Sequence, residues 1–260
     1  MIQGIKSFDL LGSIAIVKFP EGLKLKDKKK FAEKLLREQP AIKTILEKKE
    51  KIKGRLRKLS TQFIAGENTK EVLYRENNCI FRFNTDETYF SPRLSNERRE
   101  ISSKIKKGDL VLVMFAGVAP FPIVLAKNSK AKIVYSNEIN REANKYAELN
   151  ISMNKLKGRV ELLPGDVKRV AKKIKQKFDV IVMPRPQLKD SFLQQAFQLS
   201  KKGTRVYYYD FCKEDETDLI ISKIKEEAKK SKKKIKIINL KNAGEIAPYK
   251  MRIRVDFKVL

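Results

Sequence analysis

The chain has 260 residues, 42% of them apolar, enough to bury one large core or two modest ones. Lys and Arg number 59 against 31 Asp and Glu, a net charge of +28 that favours a polyanionic partner such as RNA, DNA or an anionic membrane; a heat-adapted composition would have raised glutamate alongside lysine. Histidine is absent, which excludes Ser-His-Asp and Cys-His catalysis, imidazole bases and Cys2His2 zinc sites.

From the N-terminus, SIAIVKF (13–19) and AIKTILEKK (41–49) predict short strands around the helix DKKKFAEKLLREQ (27–39). The dense basic stretch KEKIKGRLRKLS (49–60) follows, and a soft boundary falls near AGENTKEVLY (65–74). This gives a small α+β unit over residues 1–75. Beyond it, apolar runs alternate with amphipathic stretches. DLVLVMFAG (109–117) predicts a buried strand and a glycine turn, and PFPIVLAKNSK (120–130) a helix with an early proline. KIVYSNEI (132–139), RVELLPGD (159–166), FDVIVM (178–183) and TRVYYYDFC (204–212) predict further strands. Helices are expected over 141–155, 167–177 and 191–203, the last closed by Gly203 as its C-cap, and over 216–234. KIKIINL and MRIRVDFKVL close the chain as a strand pair. Strand–helix alternation over 76–260 implies a doubly wound, mostly parallel sheet. No apolar run approaches the roughly 18 residues of a membrane span, and MIQGIKSFDL lacks a signal peptide's apolar stretch. Cys79 and Cys212 form neither a disulfide framework nor a metal motif. A cytoplasmic protein with no metal and no membrane association is expected.

Ligands of such sheets bind at the carboxyl ends of the strands. There MFAGVAP (114–120) lets backbone N–H groups approach a ligand at a helix N-terminus. Glu138 ends the second strand, where a carboxylate can accept both hydroxyls of a ribose, and Asp166 ends the third, placed for an adenine amino group. The combination suits S-adenosylmethionine, although two ordinary surface acids would read the same. No GxxxxGK[ST] occurs, and the turn GVAPFP is not the GxGxxG of a nicotinamide enzyme.

FDLLGSIAIV, KGRLRKLSTQFIAGEN, TYFSPRLSNER, MFAGVAPFPI, EIN, GDV and APYKMRIRVDFKV occur in that order. In this the chain resembles the archaeal tRNA position-37 methyltransferases, both the guanine-37-N1 enzymes and their wyosine-pathway relatives, from about residue 8 onward. The resemblance implies an α/β protein. A Rossmann-type, S-adenosylmethionine-dependent methyltransferase domain (76–260) would follow a small α+β RNA-binding domain (1–75), the whole acting on tRNA as a monomer. The domain that usually precedes these two in the family is expected to be missing. The resemblance further implies that Tyr89, Phe115, Gly117, Glu138, Asn140, Asp166 and Val167 touch the cofactor. By the same likeness Arg57, Arg93 and Glu97 are catalytic: an arginine can stabilise charge developing on a purine oxygen, and a carboxylate can take a proton. Taken alone, Arg57 is one more cation in a basic stretch, and Glu97 reads equally as a salt-bridged acid.

Three positions depart from the family pattern. Val113 replaces an acid before MFAG. Ala119 replaces a glycine and is expected to keep φ negative. Pro184-Arg185-Pro186, the substrate-binding candidates, stand where the family carries Asn-Leu-Pro. An amide offers donors and an acceptor to guanine, whereas Pro184 offers only a carbonyl. A larger, more apolar target is expected, namely 4-demethylwyosine methylated at C7, with Arg185 free for a phosphate or base face. Guanine N1, or both activities, stays open, as does a non-catalytic tRNA-binding protein.

Overall fold

The computed structural model describes residues 8–49, 59–185, 188–247 and 249–260. A four-stranded sheet comes first. β1 (Phe8–Leu11) and β2 (Ile14–Val17) form an antiparallel pair. α1 (Leu25–Glu38) crosses over, β3 (Thr44–Lys48) returns parallel to β2, and β4 (Thr61–Gly66) closes the order β1-β2-β3-β4. All of Ile14, Ala15, Ile16 and Val17 are buried, because both faces of β2 are covered. Ala15 and Val17 pack with Ala32 and Leu35 of α1, while Ile14 and Ile16 join Val72, Phe83 and Phe90 of the following segments. At the β1–β2 turn, Gly12 has φ 58, and any Cβ there would collide with the Leu73 carbonyl.

β5 (Glu71–Glu76) and β6 (Cys79–Asn84) form a hairpin whose two-residue turn, Asn77-Asn78, has φ 47 and 60. Two successive left-handed residues are what a type I′ turn requires, and asparagine tolerates them. The hairpin is docked on α4 (Arg141–Met153) and the residue that follows it by side-chain amides. Asn150 accepts from the Arg82 N–H at 2.7 Å and donates to its carbonyl at 3.1 Å; Asn154 does the same to Ile80 at 2.9 and 2.6 Å. Four residues on a helix rise about 6.0 Å, close to the about 6.6 Å between alternate strand residues, so the two amides match one strand edge.

A short 3-10 turn (Pro92–Leu94) leads into α2 (Ser95–Lys104). β7 (Leu110–Met114), α3 (Pro120–Asn128), β8 (Ile133–Glu138), α4, β9 (Val160–Pro164), α5 (Val167–Lys173), β10 (Phe178–Met183), α6 (Leu193–Leu199), β11 (Ser200–Lys213), α7 (Thr217–Lys230), β12 (Ile235–Ala247) and β13 (Lys250–Val259) complete the chain. The large sheet runs β9-β8-β7-β10-β11-β13-β12, parallel from β9 to β11, with β13 antiparallel to both neighbours. The apolar runs LVLVM and VIVM are buried on both sides, as a covered parallel sheet demands. The chain moves outward from β7 through β8 to β9, then returns to lay β10 on the other side of β7. A crevice therefore opens at the carboxyl ends of β7 and β10.

Gly203 is not a C-cap. α6 ends at Leu199, Ser200 already pairs with Phe178, and Gly203, with φ 92, lies inside β11 where its register with β10 shifts. Its left-handed backbone serves a strand irregularity rather than a helix end. The helix expected over 167–177 is also shorter, stopping at Lys173.

Candidate active site

A cleft of about 860 Å3, including its open mouth, lies at these carboxyl ends. All seven cofactor candidates line it: Tyr89, Phe115, Gly117, Glu138, Asn140, Asp166 and Val167. Six of them are delivered by the ends of β7, β8 and β9, and Tyr89 by the segment between β6 and the 3-10 turn. After β7 the backbone takes positive φ at every second residue, Phe115 (60), Gly117 (57) and Ala119 (65). Ala119 thus adopts the left-handed conformation that its side chain disfavours, contrary to the sequence expectation. It is fully buried at the start of α3 and accepts the Ile123 N–H at 3.0 Å. Packing on all sides, together with that first helical hydrogen bond, offsets the about 1–2 kcal/mol of left-handed strain.

Glu138 is held by backbone alone. One oxygen accepts from the Gly117 N–H at 2.8 Å and the other from the Asn140 N–H at 2.7 Å. Burial raises its pKa against the pull of these donors. Each oxygen keeps acceptor capacity toward the cleft, which fits a pair of ribose hydroxyls. Asn140 is spent on positioning: its amide caps α4 at the Glu142 N–H (3.0 Å) and donates to the Glu87 carbonyl (2.8 Å), fixing the segment that carries Tyr89. Asp166 caps α5, one oxygen accepting from the Lys168 N–H at 2.9 Å. With Ile139, Ala143 and Val167 as apolar walls, these residues fit an adenosine-containing cofactor.

The catalytic candidates are spread out. Glu97 does not line the cleft; it is buried on α2 behind Tyr209, which does. The Tyr209 hydroxyl donates to Glu97 at 2.8 Å, and Glu97 also pairs with Arg254 (2.5 Å) and Lys241 (2.8 Å). Arg254 continues to Glu100 and Asp256, both at 2.6 Å, and Lys104 joins those two acids at 2.9 and 3.3 Å. Glu97 is therefore one corner of an ion cluster tying α2 to β13. Arg93 is exposed and reaches Asp9 at 3.3 Å. It lies in a second groove, lined also by Lys48, Leu59, Phe83, Pro92 and Ile246, between the small sheet and the β12–β13 pair. Arg57 and Pro186 lie outside the described residues.

At the end of β10 the Arg185 N–H donates to the Met183 carbonyl at 2.7 Å, closing a three-residue turn centred on Pro184. The fixed φ of proline suits that turn. Pro184 lines the cleft beside Leu188 and Phe192, and Phe115 meets Phe192 edge-on at 5.0 Å. Arg185 is not free for a phosphate. It is 3% exposed, pairs with Asp210 at 2.9 Å and donates to the carbonyls of Leu188 (2.7 Å) and Asp190 (3.0 Å). It ties Leu188 and Asp190 to the end of β11. A buried guanidinium needs such partners, and Asp210, 25 residues away, was invisible as one in sequence.

Tyr209, Phe211 and Arg252 also line the cleft and were missed. The signal was present: in a strand, alternate residues share a face, so TRVYYYDFC had to send Tyr209 and Phe211 to one side of the sheet's carboxyl edge. Among the described residues, no cluster of His, Cys, Asp and Glu could hold a metal, and no helix is long and apolar enough to cross a membrane.

Comparison with known proteins matches residues 72–238 to the TRM5/TYW2 methyltransferase domain and residues 2–69 to the TYW2 N-terminal domain. The chain is 36% identical to the tRNA (guanine(37)-N(1))-methyltransferase Trm5b of Pyrococcus abyssi, covering 97% of this chain and 74% of that protein. It is 30% identical to the tRNA (guanine(37)-N(1))/4-demethylwyosine(37)-methyltransferase Taw22 of Nanoarchaeum equitans, covering 98% and 100%. The crystal structure of Methanocaldococcus jannaschii Trm5 in complex with adenosine superposes with a TM-score of 0.83 at 27% identity, covering 98% of this chain and 74% of that one. The chain belongs to the TRM5/TYW2 family, the S-adenosylmethionine-dependent methyltransferases of tRNA position 37.

Proposed function

We propose that the protein methylates carbon 7 of 4-demethylwyosine at position 37 of tRNA. The observation that carries this reading is the wall at the end of β10, where Pro184 presents no N–H or amide and Leu188, Phe192 and Phe115 continue an apolar surface. A site built to read guanine by hydrogen bonds loses discrimination when the reading group is gone, whereas a tricyclic base can pack on such a wall. The match to a TYW2 N-terminal domain supports the same direction. The second reading, guanine-37 N1, is supported by the 36% identity to a relative named for that reaction.

S-adenosylmethionine, when bound, supplies an electrophilic methyl group. Glu138 would accept the ribose hydroxyls and Asp166 the adenine amino group, with Tyr89, Phe115, Gly117, Asn140 and Val167 enclosing the nucleoside. Glu97 reaches the cleft only through Tyr209. A proton shed by the methylated ring would pass to the phenol oxygen as the phenol proton moves to Glu97. Arg57 is assigned to the developing charge on the purine, and Arg93, from the second groove, to the RNA side. The small unit, 1–75, is assigned tRNA binding, and 76–260 methyl transfer. Because β5 and β6 dock on α4, the working junction falls a few residues before the hairpin. A monomer is taken as the working unit.

Nucleoside mass spectrometry of tRNA carrying either guanine or 4-demethylwyosine at position 37, with labelled cofactor, tests the reading. Pro184→Asn should raise activity on guanine-37 and lower it on demethylwyosine-37, since an amide regains one base contact and sets an unpaired polar group against the other. Efficient methylation of guanine-37 with demethylwyosine untouched would establish the second reading instead.

A further inference from the structure

Tyr89, Phe211 and Arg252 line both the cofactor cleft and the second groove. They mark the junction between the two. Phe211 and Arg252 are directly opposite each other in the β11–β13 register, and the Arg252 guanidinium lies over the Phe211 ring at 5.3 Å. One step inward, on the same face, Tyr209 pairs with Arg254. That inner pair is consumed by the ion cluster with Glu97 and Glu100. The outer pair lies at the junction and is only partly buried. A guanidinium lying on an aromatic ring is a plane already held in place, and single-stranded bases are captured by stacking on such planes.

We propose that Phe211 and Arg252 form the stacking platform that receives the flipped purine of position 37, a pair that captures and positions the base for the methyl-transfer reaction. The proposal rests on the reading that a tRNA purine is the target. It also accounts for how a site with a proline wall captures a base: stacking tolerates any purine, so recognition of the edge is left to the wall. The flanking pairs Asp210–Ile253 and Cys212–Met251 fix the two backbones, so only side-chain rotation can move the platform.

The test uses the full chain with an anticodon stem-loop carrying 2-aminopurine at position 37, whose fluorescence reports stacking, beside kcat/KM for tRNA. Phe211→Leu keeps apolar volume and removes the ring; Arg252→Lys keeps the charge and removes the plane; Phe211→Tyr keeps the ring. The first two should abolish the fluorescence change on binding and lower kcat/KM by about ten- to a hundredfold, the range for one lost base stack. The tyrosine variant should retain both, and cofactor Kd should stay within about threefold in all three, since the lost contact is to the base. Thermal unfolding reports whether each variant is folded, and should Phe211→Leu not fold, Arg252→Lys decides. A wild-type fluorescence response in a folded Arg252→Lys protein overturns the proposal, as does a tenfold loss of cofactor affinity with the response intact. Failure of the wild type to methylate any position-37 purine would instead overturn the functional reading on which the proposal stands.

Discussion

Glu138 lines the cleft on the parallel side of the large sheet and Glu97 lies behind Tyr209 on the antiparallel side, and the protein holds them by opposite means. On the parallel side, Glu138 is oriented by two backbone N–H groups, at 2.8 and 2.7 Å. On the antiparallel side, Glu97 is gripped by Arg254, Lys241 and the Tyr209 hydroxyl. Backbone donors fix a carboxylate without neutralising it, so its charge stays available to neutral hydroxyls. Cations fix a carboxylate by absorbing its charge, which suits joining α2 to β13. The difference teaches that two acids on either side of one cleft wall divide between binding and bracing according to who donates to them.

The sharpest way to break this contrast is Arg254→Met. The side chain is fully buried, and its loss leaves Glu97, Glu100 and Asp256 sharing fewer cations. Breaking a buried ion cluster costs about 3–5 kcal/mol, so urea unfolding should show a loss of that size. A loss under about 1 kcal/mol would mean the cluster braces nothing. Next in size, Glu138→Ala should weaken S-adenosylmethionine binding by about 1–3 kcal/mol in calorimetry. Glu97→Gln should change it by less than about threefold, since additivity is expected for groups with no shared partner. Equal effects of the two would erase the distinction.

Acid should separate them further, with opposite signs. Burial raises the Glu138 pKa above 4.5, so the native state takes up that proton before the unfolded chain does. Its stabilising contribution is present in acid and disappears as pH rises through the raised value, while cofactor affinity falls as pH drops through it. Glu100 goes the other way. Hydrogen bonding from Arg254 holds its carboxyl far below the ordinary 4.5. Its contribution is complete above the unfolded value and is lost as pH falls toward the folded one. Cofactor affinity should therefore decline at a pH where the stability difference between wild type and Glu100→Gln is still constant. Coincident declines, read by calorimetry and thermal unfolding across pH 3–7, would refute the assignment.

The smallest effect belongs to Ala119→Gly. Glycine relieves about 1–2 kcal/mol of left-handed strain, but it removes a buried methyl worth about 0.8 kcal/mol and adds about 0.4–1 kcal/mol of unfolded-state entropy. The terms nearly cancel, so denaturant unfolding should place the variant within about 1 kcal/mol of wild type. A larger loss would mean that the methyl, rather than the backbone, organises the turn.

Much of this site was legible because strand ends in a doubly wound sheet are predictable. The runs ending at Met114, Glu138, Pro164 and Met183 placed the glycine turn, the two acids and the proline wall at one edge. What stayed hidden depended on partners far away in the chain. Arg185 reads as a spare cation until Asp210 is beside it, and which cation holds Glu97 stays open until Arg254, 157 residues on, closes over it. Ala119 and Gly203 misled for a local reason: φ is set by what surrounds a turn, and composition names only the residues that resist or tolerate it. The Asn77-Asn78 turn was readable from its residues alone and was passed over.

The amide ladder from Asn150 and Asn154 to Arg82 and Ile80 has a consequence for solubility. A two-stranded ribbon standing alone offers a row of open backbone groups on which another chain can grow. Here a helix imitates the missing third strand with side-chain amides, and the ribbon's growing edge is closed without any strand being added. Replacing both asparagines by alanine would reopen that edge, so the harm would surface as concentration-dependent aggregation during heating before it surfaced in catalysis.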